Sequence, residues 1–258
     1  MTRAAIVTGG GTGIGAAIAR RLAADGFAVC VTGRRREPLD AVAAETGALA
    51  VTADTGDPAG AQAAVDAAKA AFGRLDLLVC NAGIGASGTV EEQTPETWDA
   101  VLRTNLTGAF LACRAALPEL VQTKGSIVTI SSDAGLRAGP RSAAYCSAKA
   151  GLIMLTQCIA LDYGPVGVRA NCICPGWIRT PMADSEMDEL GALKETDREG
   201  AYALVSSRVP LRRPGDPDEI AAAVAWLASE GAGFTTGAVL AIDGGNSIVD
   251  ASSAEFAA

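Results

Sequence analysis

Histidine is absent from the 258 residues. That excludes His-based triads and His-ligated metal sites outright. No Cys-x-x-Cys pair occurs among the seven cysteines, Cys30, Cys80, Cys113, Cys146, Cys158, Cys172 and Cys174. A zinc or thioredoxin-type site therefore has no support, and no bound metal is expected. The thiols lie mostly in apolar runs and read as buried, reduced groups of a cytosolic protein. Cys172 and Cys174 alternate as strand residues do, so both should face one side of a strand. Long basic runs are also missing. The net charge is −8, and Arg34-Arg35-Arg36 is the only dense basic spot, too short for a binding tail. Nucleic acid and anionic membrane are excluded as expected partners. No apolar run reaches membrane-spanning length, and the first one, Ala4 to Val7, ends in a glycine cluster rather than a cleavage site. The expectation is a cytoplasmic enzyme without a signal peptide.

What is present is a chain with 49% apolar and 19% charged residues, enough to bury a sizeable core. Strand and helix signals alternate throughout. Ala4 to Thr8, Ala28 to Thr32, Leu49 to Thr52, Leu75 to Cys80, Ser126 to Ile130, Val168 to Ile173 and Val239 to Ile242 read as strands. Helices are expected over Ile14 to Asp25, Pro38 to Glu45, Pro58 to Phe72, Thr94 to Gln122 and Ser142 to Tyr163. Thr94 is the expected N-cap of the fourth, with Pro95 in its first turn. Continuous apolar strands separated by helices imply a parallel sheet covered on both faces, in one α/β domain over residues 1–258. Residues 179–214 lack a neighbouring strand and read as a candidate substrate lid, and residues 246–258 as a tail.

Thr8-Gly9-Gly10-Gly11-Thr12-Gly13-Ile14-Gly15 lies between the first strand and its helix. Glycines there permit a sharp turn and close approach to a pyrophosphate. The helix start supplies unpaired N–H groups and a positive dipole end. The second strand ends at Thr32-Gly33-Arg34-Arg35, with no carboxylate to accept a ribose 2′-hydroxyl. An arginine there suits a 2′-phosphate, so NADP(H) is expected in preference to NAD(H), through Arg34. Tyr145 and Lys149 are spaced i, i+4 on one helix face. Ser131-Ser132 follows the fifth strand directly, and Asn81-Ala82-Gly83 follows the fourth.

Together these residues closely resemble the short-chain dehydrogenase/reductase family. The match is carried by Thr8 to Gly15 as Thr-Gly-x-x-x-Gly-Ile-Gly, Asp54, Asn81-Ala82-Gly83, Asn105, Ser132, Tyr145-x-x-x-Lys149 and Pro175-Gly176 with Thr180. Thr236-Gly237 through Asp243-Gly244-Gly245 completes it, so the match runs through essentially the whole chain. The resemblance implies a Rossmann-type doubly wound sheet of seven parallel strands in the order 3-2-1-4-5-6-7. It implies hydride transfer between a nicotinamide and the carbonyl or secondary alcohol carbon of a small, mostly apolar substrate. Tyr145 would exchange the proton and Lys149 would lower its pKa and bind the nicotinamide ribose. Ser132 would stabilise the substrate oxygen, and Asn105 would hold a proton-relay water. Gly9, Thr12, Gly13, Ile14 and Gly15 would meet the pyrophosphate. Asp54 and Thr55 would meet the adenine, and Asn81, Ala82 and Gly83 the adenosine and ribose. Pro175, Gly176, Ile178 and Thr180 would meet the nicotinamide. A homotetramer, or a dimer, is implied through the two long helices. Two other readings stay open. A 3-oxoacyl-thioester reductase shares every motif, and a non-catalytic nucleotide-sensing regulator shares the fold.

Overall fold

The structure, a computed structural model, describes residues 2–250; the expected tail beyond 250 lies outside the described residues. Seven strands form one parallel sheet: β1 (Ala4–Thr8), β2 (Ala28–Gly33), β3 (Leu49–Thr52), β4 (Leu77–Cys80), β5 (Ser126–Ile130), β6 (Arg169–Pro175) and β7 (Val239–Ile242). Their order is β3-β2-β1-β4-β5-β6-β7, as expected. The order reverses between β1 and β4, so a crevice opens at the carboxyl ends of those strands.

The strands are apolar at successive positions because both faces are covered. Ala5, Val7, Val29, Val31 and Val79 pack on one side, against Ile18 and Leu22 of α1 (Gly13–Ala24), Leu39 of α2 (Arg36–Thr46) and Val224 of α9 (Pro217–Leu227). Ile6, Cys30, Leu78 and Ile127 pack on the other. There they meet Val65 of α3 (Pro58–Phe72), Leu120 of α5 (Gly108–Thr123) and Leu152 of α6 (Ala143–Tyr163). Each fully buried aliphatic side chain contributes about 1.5–3 kcal/mol relative to exposure. Among the described residues, α6 alone is long and apolar enough to cross a membrane by length and composition. That corrects the expectation that no run reaches that length. Its contacts with β6 and with α4 (Pro95–Leu102) are those of a core helix.

The rod expected over Thr94 to Gln122 is not one uniform helix. α4 passes into a five-residue π turn, Arg103–Thr107, where the Gly108 amide donates to the Arg103 carbonyl, and then into α5. The capping reading holds at its start, where the Thr94 hydroxyl accepts from the Thr97 amide at 3.2 Å. Residues 179–214 hold two helices and no strand: α7 (Pro181–Lys194) and α8 (Arg198–Ser206). They pack through Ala183, Met187, Ala201 and Tyr202 into a small core of their own.

Candidate functional site

The glycine loop is shaped by close packing. Gly9 has φ +64°, and a Cβ on it would lie 2.9 Å from the Ala82 Cα. A Cβ on Gly15 would strike the Gly9 carbonyl oxygen. Asn81 ties the two loops together: its Nδ2 donates to the Thr8 and Gly9 carbonyls at 3.0 and 3.2 Å. The Asn81 and Ala82 amides donate to the Thr8 hydroxyl at 3.0 and 3.1 Å. Thr12 caps α1 without a side-chain hydrogen bond, so no hydroxyl occupies the amides of Gly13, Ile14 and Gly15. Open amides at a helix start, within glycines too crowded for any side chain, fit a pyrophosphate.

The loop after β6 reaches the same place. A Cβ on Gly13 would lie 3.1 Å from the Thr180 methyl. The Thr180 hydroxyl caps α7, accepting from the Ala183 amide at 3.2 Å. The Gly176 amide donates to the Ile242 carbonyl at 3.1 Å, so the turn after Pro175 is pinned to β7. Ile178 is buried and Trp177 half-buried.

At the β2 and β3 ends, one Asp54 oxygen accepts from the Gly56 amide at 2.9 Å and the other from Arg103 at 2.9 Å. These bonds, with the nearby Arg34 charge, hold the Asp54 carboxyl below its usual range. Thr55 is buried, its hydroxyl 3.1 Å from where a Cβ on Gly108 would stand. Arg34 itself is exposed. Sequence reading missed Arg103, which no local pattern ties to Asp54.

At the centre, α6 puts Tyr145 and Lys149 one turn apart, with the Lys149 Nζ 5.5 Å from the Tyr145 ring centroid. Lys149 is 4% exposed. Its Nζ donates to the Ile130 carbonyl at 2.8 Å, and its backbone carbonyl accepts from the Ser131 hydroxyl at 2.8 Å. Both ends of the residue are thus fixed to the end of β5. Burial lowers the ammonium to about 8, against partial support from Cys172 and Cys174. Those two thiols are buried together on one side of β6, as the alternation predicted.

Burial acts in the opposite direction on the phenol and pushes Tyr145 up to about 12. A hydrogen bond with Ser132 favours ionisation, whereas the Glu186 and Asp133 charges oppose it. The resemblance led us to expect a phenol lowered by Lys149. In this structure the neighbouring charges that dominate are carboxylates, and the Lys149 ammonium is turned to the Ile130 carbonyl.

Ser132 Oγ donates to Asp133 at 3.1 Å and accepts from the Ala134 amide at 3.2 Å. The other Asp133 oxygen accepts from Asn246 at 2.6 Å, a contact between remote parts of the chain. Asn105 sits in the π turn and is 1% exposed. Its amide forms a closed pair with one residue, accepting from the Ile84 N–H at 2.8 Å and donating to the Ile84 carbonyl at 2.9 Å. Gly83 marks the crossing point, since a Cβ there would lie 3.3 Å from Asn105 Oδ1 and 3.6 Å from Lys149 Nζ. Ser132, Tyr145, Lys149 and Asn105 therefore share one sheet edge with the glycine loop. Sequence reading missed Asn246 and Glu186 as neighbours of this edge.

Comparison with known proteins identifies the family. The family model described as enoyl-(acyl carrier protein) reductase matches residues 9–247. Protein MoaE of Klebsiella aerogenes is 44% identical, with 100% of each chain covered. Meso-2,3-butanediol dehydrogenase of Serratia marcescens is 35% identical over 95% of this chain and 94% of its own. A substituted actinorhodin polyketide ketoreductase solved with NADPH superposes with a TM-score of 0.92 at 34% identity, covering 96% of this chain and 98% of its own. The chain belongs to the short-chain dehydrogenase/reductase family, oxidoreductases that bind NAD(P) and act on small molecules.

Proposed function

We propose that this protein is an NADP(H)-dependent alcohol dehydrogenase or ketone reductase, acting on the secondary alcohol or carbonyl carbon of a small, mostly apolar substrate. The observation that carries the reading is the half-buried Tyr145 phenol one helical turn from Lys149, whose Nζ lies 3.6 Å from where a Cβ on Gly83 would stand at the crevice edge.

The dinucleotide would lie along Gly9, Thr12, Gly13, Ile14 and Gly15, with Arg34, Asp54 and Thr55 at the adenosine end. Asn81, Ala82, Gly83, Pro175, Gly176, Ile178 and Thr180 would line the rest. When bound, the nicotinamide supplies or accepts the hydride. Tyr145 gives a proton to the substrate oxygen in reduction and removes it in oxidation. Ser132 donates to the same oxygen when its O–H turns away from Asp133, while the Ala134 amide holds its Oγ in place. Lys149 holds a positive charge under the site and reaches the nicotinamide ribose. Asn105 steadies the loop at Ile84 and holds the relay water. The 179–214 segment acts as the lid. The seven unpaired thiols suit a reducing cytoplasm, and the exposed Phe110, Met154 and Leu161 on α5 and α6 suit burial in a homotetramer. A panel of ketones and alcohols followed by NAD(P)H absorbance tests the reading; no turnover of any member with either cofactor overturns it.

Two expectations belong to this site. Arg34 carries the cofactor preference, so wild-type protein should favour NADPH over NADH by roughly tenfold or more in kcat/KM, and Arg34→Asp should reverse the order. Equal values for both cofactors in the wild type would rule Arg34 out. Second, Asp133 raises the phenol pKa, so removing its charge makes phenolate easier to form. For Asp133→Asn the rising limb of alcohol oxidation against pH should move toward lower pH, by up to about one unit. A limb that stays still or moves to higher pH contradicts the placement of Asp133.

A further inference from the structure

The turn after β7 reaches back across the sheet toward Ser132, and it is tightly built. Gly244 and Gly245 have φ +64° and +91°. A Cβ on Gly245 would lie 2.7 Å from Pro210 Cγ, and one on Gly244 2.9 Å from a Val209 methyl. The Asp243 carboxylate accepts from the Gly245 amide at 2.9 Å and from the Ser247 amide at 2.6 Å. Asn246 is fixed between those two bonds, and its own backbone amide donates to the Asp243 carbonyl at 3.1 Å. From there Asn246 Nδ2 donates to one Asp133 oxygen at 2.6 Å, while Ser132 Oγ donates to the other at 3.1 Å. Because β6 lies between β5 and β7, this bridge spans the carboxyl end of β6. An ionised carboxylate only accepts, so the amide presents its N–H end to it. The two lengths are the reverse of what the donors alone would give. A hydroxyl settles on a carboxylate at about 2.5–2.7 Å, and an amide N–H on an oxygen at about 2.9–3.0 Å. Here the carboxylate has closed on Asn246 and stands off from Ser132.

We infer that Asn246 is a positioning residue for the reaction: by drawing the Asp133 carboxylate toward the end of β7, it leaves the Ser132 hydroxyl free to turn to the substrate oxygen. Ser132 has one proton to donate. While a short bond to a carboxylate holds that proton, it cannot stabilise the charge that develops on the substrate oxygen. Without Asn246, Asp133 is released to close on Ser132, its neighbour in the chain, and to hold the hydroxyl in a short bond. Ser132 Oγ itself stays in place, since the Ala134 amide still donates to it at 3.2 Å. What is lost is the direction of the O–H, while the architecture around it remains. The inference rests on the role given to Ser132 in the dehydrogenase reading above.

The test follows reduction of the ketone that the wild type turns over fastest in the panel above, in Asn246→Ala, Asp133→Ala and the double variant. Asn246→Ala should lower kcat by roughly tenfold or more, with KM and NADPH affinity within a few-fold of wild type. Removing Asp133 from that variant should bring kcat back to the level of Asp133→Ala alone, because no carboxylate remains to capture Ser132. A kcat near wild type in Asn246→Ala overturns the inference, as does a double variant no faster than Asn246→Ala. Either result leaves the dehydrogenase reading standing, whereas a wild type that reduces no ketone removes both. If Asn246→Ala does not fold, the isosteric Asn246→Asp decides. Its carboxyl donates to Asp133 while the pair shares one proton and repels it once both are ionised. The kcat ratio of this variant to wild type should therefore be near unity at low pH and fall roughly tenfold as that proton is lost; a ratio flat with pH overturns the inference. The other titratable groups facing the bridge are Tyr145 of α6, under the charges of Glu186 of α7 and Asp133, and Asp243 at the end of β7. Neither Tyr145 nor Asp243 titrates in the neutral range. The phenol is pushed up to about 12, and the Ser247 and Gly245 bonds hold the Asp243 carboxyl below its usual range against the effect of burial.

Discussion

Tyr145→Phe is expected to lower turnover by about 100- to 10,000-fold while leaving NADPH affinity within a few-fold of wild type. The substitution removes one oxygen and keeps the ring that packs beside Lys149. Ser132 retains its bonds to Asp133 and the Ala134 amide, so the hydroxyl that would stabilise the substrate oxygen stays in place. The glycine loop is anchored by Asn81 and Thr8, neither of which touches the phenol. Loss should therefore fall on kcat, as expected when a group acts in the transition state. Stopped-flow or steady-state rates, with cofactor binding followed by fluorescence, separate the two effects. A kcat near wild type would remove Tyr145 from the proton-transfer role.

The second large effect is on stability. Burial holds the Lys149 ammonium at about 8, down from 10.5, so at pH 7 the folded protein carries a charge that its surroundings disfavour. Each pKa unit corresponds to about 1.4 kcal/mol, which puts this penalty near 3 kcal/mol. Lys149→Met keeps most of the stem and removes the charge. It should abolish turnover and yet raise unfolding stability at neutral pH by about 1–3 kcal/mol, less the hydrogen bond to Ile130. The sign fixes the pH course. The unfolded lysine holds its proton until about 10.5 and the folded one only until about 8, so the wild-type penalty is complete below pH 8 and fades between those values. The melting temperature of the variant should exceed that of the wild type at pH 7, and the gap should narrow by pH 10. A variant that melts lower at pH 7 would mean that Lys149 is held by stronger favourable contacts than the single carbonyl bond.

Most of the frame could be read from the chain because it depends on local periodicity. β1, β3, β5 and β7 begin and end where the apolar runs do. β6 runs on through Cys174 and Pro175, beyond the expected end at Ile173, since a proline at the end of a strand need not donate to the ladder. α2 starts at Arg36, ahead of Pro38, because proline is tolerated in a first turn. Tyr145 and Lys149 were visible as a pair because their contact is a helical one. The partners of other site residues were not. Asp54 meets Arg103, Asp133 meets Asn246, and Glu186 meets the Gly85 loop only because separate connections converge at the crevice. No spacing rule relates such positions. The phenol illustrates the same point. A tyrosine beside a lysine suggests a lowered pKa, but the burial and carboxylates that raise it arrive from β5, α7 and the loops between.

The wide turn at Arg103–Thr107 has a consequence for how the rod around it is phased. α4 addresses α6, whereas α5 addresses α3 and β4. An α-helix advances by about 100° per residue, so the residue accommodated there without added length resets the azimuth of everything downstream. Val101 can then point one way and Cys113 another from what is nearly a single axis, with Asn105 at the step between them. Forcing 103–107 into regular α geometry at the same length would turn the sheet-facing side of α5 away by about 100°, whereas deleting one residue would let the segment rewind with that side still on the sheet. The wide turn works as an angular gear that takes up one residue so that α4 and α5 each keep their own neighbours.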